Sequence, residues 1–117
     1  MKNKEFAKKL EDRTRQFGIS IIKLSASLPN SIEGKVIRNQ ITKSGTGIGA
    51  NYREANRSRS KPDFRNKIKI SESEASETEY WLEIINDLKW IGSNLLNPII
   101  KEAKELLALF TSISNKL

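Results

Sequence analysis

An all-α fold, an antiparallel up-down-up-down four-helix bundle, is what three features of this sequence predict. Apolar residues recur at alternating spacings of three and four through four separate segments, the period of a helix with one buried face. The segments are divided by short breaks at 29–30, 58–61 and 91–96, and connections that short leave successive helices antiparallel. At 117 residues the chain makes one domain, long enough to bury roughly two-thirds of its unfolded surface and to fold without the disulfides its lack of cysteine rules out.

In the first segment Phe6, Leu10, Phe17, Ile21, Leu24 and Leu28 form one stripe, a helix over about 3–27. Gly18 interrupts it at a cost of about 1 kcal/mol, and Pro29 ends it by disfavouring the α conformation in the residue before it. Ser31 is then an N-cap for a second helix over about 31–56, with Ile37, Ile41, Ser44, Ile48, Tyr52 and Ala55 as its stripe. Within it, Gly45-Thr46-Gly47-Ile48-Gly49 costs about 3 kcal/mol in helix propensity. A phosphate-cradling loop uses glycines of this kind, but no strand precedes them and no Gly-Lys-Ser/Thr ends them. Close helix packing fits better: Gly45, Gly47 and Gly49 are expected to admit the third helix, whose own stripe narrows to small residues around Ala75 and Thr78.

That third helix is capped by Ser60, with Pro62 and Asp63 in its first turn, and its stripe runs Phe64, Ile68, Ser71, Ala75, Thr78, Leu82 and Ile85. Trp81, Ile84, Leu88 and Ile91 widen the stripe. Two explanations stand side by side, a broader core at that end and an oligomer interface formed by Trp81, Ile84 and Leu88. Gly92 is expected to end the third helix and Asn97-Pro98 to start the fourth, with Ile99, Ala103, Leu106, Phe110, Ile113 and Leu117 facing the core.

Charge is the property that the fold does not explain. The chain carries 21 Lys and Arg against 14 Asp and Glu, a pI near 9.8. Seven cations, Arg53, Arg57, Arg59, Lys61, Arg65, Lys67 and Lys69, stand against Glu54 and Asp63, a local net of +5. From residue 72 to 87 the sign reverses, with Glu72, Glu74, Glu77, Glu79, Glu83 and Asp87 and no cation. An up-down bundle gathers residues 1–15, 53–70 and 110–117 at one pole, where fourteen cations and five acids leave +9. Arginines at the end of the second helix suit its dipole; Lys61, Arg65, Lys67 and Lys69 oppose the dipole of the third. A solvated charged face is one reading. The other is an anion-binding pole, and nucleic acid, with RNA favoured, is the polyanion expected there. Tyr52 and Phe64 are expected to face the core, so reading of the phosphate backbone is favoured over stacking on bases.

The sequence has no histidine and no cysteine, which removes zinc sites, Cys–His and Ser–His pairs and the Glu-x-x-His ligands of di-iron bundles. The expectation is a protein that is not an enzyme, with no metal, no cofactor and no small-molecule substrate. With no apolar run of membrane-spanning length and no signal-peptide core at the start, it is expected to be soluble and cytoplasmic, with no membrane partner.

The residues Ser44-Gly45-Thr46-Gly47-Ile48-Gly49-Ala50-Asn51-Tyr52-Arg53-Glu54-Ala55, followed by Arg59-Ser60, Asp63-Phe64, Lys67 and 74–83 (EASETEYWLE), carry a resemblance. The stretch resembles the four-helix-bundle proteins encoded in intervening sequences of 23S ribosomal RNA genes, and the helix layout is similar along nearly the whole chain. It departs from the usual pattern at Lys43, Gly47 and Ser73, where Arg, Ser and Lys are common. The resemblance implies a bundle that assembles into a ring-shaped homopentamer with a basic surface for RNA or other nucleic acid, and it implies no enzyme. Related bundles serve as accessory proteins to a reverse transcriptase, which adds a second class of partner. A protein-interaction ring that docks an acidic partner is the alternative.

Overall fold

Serine caps decide where the middle two helices begin. Ser31 Oγ accepts the Gly34 amide at 3.0 Å and Ser60 Oγ accepts the Asp63 amide at 3.2 Å, each satisfying one of the amides that a helix start leaves without a partner. The computed structural model describes residues 2–117, as α1 (Lys2–Ala26), α2 (Ile32–Ala55), α3 (Lys61–Leu88) and α4 (Ser93–Asn115). The helices pack in chain order as an antiparallel bundle of 44 × 25 × 21 Å, α1 on α2, α2 on α3 and α3 on α4, while α1 and α4 barely meet. Among the described residues no helix is long and apolar enough to cross a membrane.

The core follows the expected stripes, with Leu10, Phe17, Ile21, Ile41, Ile48, Ile68, Leu82, Ile85, Leu106 and Phe110 buried. Thr14 fills the gap the α1 stripe left between Leu10 and Phe17; its hydroxyl donates back to the Leu10 carbonyl. Phe6, placed on that stripe by spacing, lies 48% exposed beyond it.

The connection between α3 and α4 differs from expectation. The left-handed residue that stops α3 is Lys89, with φ 57°, and the amides of Lys89 and Trp90 return to the carbonyls of Asn86 and Ile85. Gly92 has an ordinary φ of −64° and is the N-cap of α4, its carbonyl accepting the amides of Leu95 and Leu96. Helix α4 therefore starts at Ser93, four residues before Asn97, and Pro98 lies within it. The proline removes one helical hydrogen bond near an exposed end, and burial of Leu96 offsets the loss.

The glycines of α2 also divide their work differently. A Cβ on Gly45 would lie 2.7, 2.8 and 2.9 Å from three carbons of Ile21, and one on Gly49 would lie 3.0 Å from Thr14 Oγ1. Both glycines therefore admit α1 rather than α3, because their side of α2 faces away from Ala75 and Thr78. Only Gly47 faces α3, where it makes room for the Glu74 carboxylate. The α2–α3 contact rests instead on buried hydroxyls, with Thr78 Oγ1 and Ser44 Oγ 2.9 Å apart and Ser71 Oγ donating to the Ile48 carbonyl at 3.0 Å. Ala75, fully buried between Ser71 and Thr78, adds no bulk to that seam.

These contacts predict opposite outcomes for two alanine substitutions. Gly45→Ala should lower stability by about 1–3 kcal/mol, because the branched Ile21 cannot move aside within the core. Gly47→Ala displaces only the end of a flexible Glu74 side chain, and the better helix propensity should leave stability unchanged or raise it by up to about 1 kcal/mol. Urea unfolding of both variants checks the pair; equal losses would show that both glycines meet immovable neighbours.

Candidate nucleic-acid interface

The turn between α2 and α3 brings the basic residues to one end of the bundle. Arg53 lies in the last turn of α2, Arg57 and Arg59 lie in the turn that follows, and Lys61, Arg65 and Lys69 come next on one stripe of α3, each a further 6 Å or so along its axis. All six are exposed, and among the described residues none forms an ion pair within 4.0 Å. Lys67 is different. Its Nζ lies 2.8 Å from Glu54 Oε1, and that hydrogen bond raises the ammonium pKa above its ordinary value. With Lys67 and Glu54 cancelled, six cations face Asp63 alone, so the local net stays at +5 on fewer and better-exposed groups.

Another cation counted toward this end is spent elsewhere. The Arg13 guanidinium holds Glu102 through Nε and Nη2, both at 2.7 Å, and Glu105 through Nη2 at 2.8 Å. This fork ties α1 to α4 along the seam where the two helices barely meet.

A groove of about 610 Å³ opens between the α2–α3 turn and the end of α4, lined by Arg59, Lys61, Phe64, Arg65 and Lys116 with the hydroxyl-bearing Ser58 and Ser60. No acid lines it. A second groove of about 480 Å³, between α1 and α2, mixes Lys8, Arg15 and Arg53 with Glu11 and Asp12. Tyr52 is buried as expected, its ring edge-on to Phe110 with centroids 5.4 Å apart. Phe64 is only half-buried. It touches the core from one side and lines the basic groove from the other.

The acidic run turns largely inward to the bundle's own needs. Glu72 accepts from the Thr111 hydroxyl at 2.9 Å, Glu77 from the Trp81 indole at 3.2 Å, and Glu79 pairs with Lys104 at 2.7 Å. Glu74 sits over Gly47, and burial, with Glu77 nearby, pushes its carboxyl above the usual range. Glu83 and Asp87 are left exposed.

Of the apolar set on α3, Trp81 and Ile84 are half-buried and Trp81 packs against the core, so the wider stripe is in part core. Leu88 is 49% exposed and Tyr80, edge-on to Trp81, is 55% exposed. Sequence spacing had passed over Tyr80, which lies off the stripe on the outer surface.

Comparison with known proteins bears on the whole arrangement. The sequence pattern of the 23S rRNA-intervening sequence protein family matches residues 4–112. A crystal structure from Bacteroides thetaiotaomicron, of a protein with unknown function from the S23 ribosomal protein family, is 38% identical and superposes with a TM-score of 0.82 over 89% of this chain and 96% of that one. No protein of curated function matches.

Six unpaired cations at one end repel one another, and salt should relieve this. The melting temperature should rise by a few degrees between low and moderate NaCl, and most of that rise should vanish in a variant with Arg57, Arg59 and Arg65 replaced by Gln. Differential scanning calorimetry at two salt concentrations makes the comparison; an equal rise in the variant would place the repulsion elsewhere.

Proposed function

The chain belongs to the 23S rRNA-intervening sequence protein family, and on that premise we propose that it is a non-enzymatic protein that binds nucleic acid, RNA in preference, through the basic pole. One observation carries the reading: six exposed cations without Asp or Glu partners, Lys61 in the first turn of α3, where the helix dipole disfavours positive charge, and Arg65 and Lys69 on the same stripe one and two turns farther on. A bundle selected for stability alone would place acids there. Phosphates supply the missing counter-charge, and displacement of their condensed counterions supplies affinity.

A second part of the proposal is self-association through the outer surface of α3, supported by the exposed Tyr80 and Leu88 beside half-buried Trp81 and Ile84. A ring of five copies is the assembly the resemblance implies, and it would set several basic poles on one polyanion. An acidic protein or a reverse transcriptase is the alternative partner of the same pole.

Each duplex phosphate neutralised contributes about −0.9 to the slope of log K against log salt. Replacing Arg57, Arg65 and Lys69 together should flatten that slope by up to about 3 and weaken binding to all sequences alike. Lys67→Gln should change it little, because Glu54 already holds that charge. Fluorescence anisotropy on structured RNA, duplex DNA and polyglutamate across a salt series measures this. If polyglutamate competes as well as RNA, the acidic-protein partner replaces nucleic acid.

For assembly, Trp81 is a poor probe because its ring supports the core. Leu88→Glu is cleaner, and it should reduce the mass measured by light scattering while helicity stays intact. A wild-type protein that is monomeric at micromolar concentration would refute self-association.

A further inference from the structure

We propose that the groove between the α2–α3 turn and the end of α4 is a binding site for an unpaired nucleotide, with Phe64 as the surface on which its base rests and Arg59, Lys61, Arg65 and Lys116 holding the flanking phosphates. The inference rests on the nucleic-acid reading of the pole and specifies what that pole takes.

Three observations carry it. The groove, about 610 Å³, is wide enough for a base and its sugar, unlike a cleft that admits only an ion. Its wall is cationic without an Asp or Glu side chain among the lining residues, whereas the α1–α2 groove carries Glu11 and Asp12 beside its cations and would repel a phosphate strand along part of its length. Finally, Phe64 stands in the wall as well as against the core. A half-buried phenylalanine that lines a groove with Arg and Lys keeps part of its apolar surface in water. Base stacking on an aromatic ring combined with a positive track for the backbone is the general solution for single-stranded nucleic acid, and it is open only to bases that are not stacked in a duplex.

The groups around the groove are free for this work. The Ser58 hydroxyl is engaged with the Ala55 carbonyl and the Ser60 hydroxyl with the Asp63 amide, so the hydroxyls shape the turn while the cations remain available. Arg65 makes one long contact, Nη2 to the Leu117 carbonyl at 3.4 Å, which leaves its other donors open. The cations come from two parts of the chain, Arg59, Lys61 and Arg65 from the turn and α3 and Lys116 from the residue after α4. A strand lying in the groove would meet positive charge from both beside the base that stacks.

The test uses the full chain and compares, by fluorescence anisotropy, an unstructured RNA strand, the same strand with its bases removed, and a blunt RNA duplex. The wild type should bind the strand about tenfold more tightly than the abasic strand or the duplex. Phe64→Leu, which keeps apolar volume against the core, should erase that preference and leave duplex affinity and its salt slope unchanged. Arg65→Gln should weaken strand and duplex together. Equal binding of strand, abasic strand and duplex by the wild type would overturn the groove inference while leaving the basic pole as a backbone reader. So would a Phe64→Leu variant that keeps the preference, or one that loses duplex binding in the same proportion. Failure of the wild type to bind any of the three would overturn the pole reading itself, and this inference with it.

Discussion

The closeness of α2 to both of its neighbours is the constraint from which the rest of the bundle follows. On one side Gly45 and Gly49 let α1 approach until Ile21 and Thr14 occupy the space a methyl group would take. On the other, Ser44 meets Thr78 and the Ile48 carbonyl takes the Ser71 hydroxyl. Interhelical distance depends on the side chains at the contact, and small ones bring backbones near enough for hydroxyls to bond across. Each such hydroxyl is then committed, since a buried polar group left unpaired costs about 1–3 kcal/mol. The register of α3 on α2 is fixed by this requirement more than by Leu and Ile packing, which tolerates sliding better than a hydrogen bond does.

That register fixes where the charges stand. With Ser71 opposite Ile48 and Thr78 opposite Ser44, Lys67 comes level with Glu54 and is neutralised, while Arg65 and Lys69, two residues to either side of it and so on the opposite face of the helix, remain exposed to water. Farther along the same helix, Glu72 and Glu79 come level with Thr111 and Lys104 of α4. The sharp change of sign along α3 thus becomes two different things in space. The acids are largely absorbed by α4 and by α3 itself, and the bases are left over.

Much of this was legible in the sequence, and the losses have physical causes. Helix number, order and the ends of α1 and α2 could be read because serine caps, Pro29 and the three-four spacing each act locally. The start of α4 was lost because Gly92 and Pro98 act against their usual sense: the glycine at φ −64° uses none of its special freedom, and Lys89 takes the left-handed position instead. A spacing of seven from Leu96 to Ala103 was the signal that the apolar stripe extended back through the proline. The direction of the glycines was lost for a different reason. Positions 45 and 49 lie about 40° apart around the helix and 47 about 200° from either, so they cannot all face one neighbour. Assigning them together to α3 overlooked the 100° between successive residues. The partial exposure of Phe64 was hidden because periodicity assigns a residue to a face but does not say where that face ends. At the first turn of α3 the core has run out on one side.

The placement of cations at the start of α3 bears on function through a comparison of energies. A cation near a helix N-terminus is disfavoured by about 0.3–1 kcal/mol in general, an effect of the same order as a surface ion pair, so evolution has an inexpensive means of removing it. One cation in that position is compatible with drift; Lys61, Arg65 and Lys69, repeated on one exposed stripe and joined by Arg57 and Arg59 in the turn, are not easily explained in that way. Their mutual repulsion adds to the dipole term, and both penalties apply whenever the pole is empty. A phosphate placed there would relieve both, since neutralised cations no longer repel and an anion suits the positive end of the helix dipole. The proposed polyanion would therefore offset a penalty that the pole carries alone, which is why this placement of charge supports a binding reading over a stabilising one.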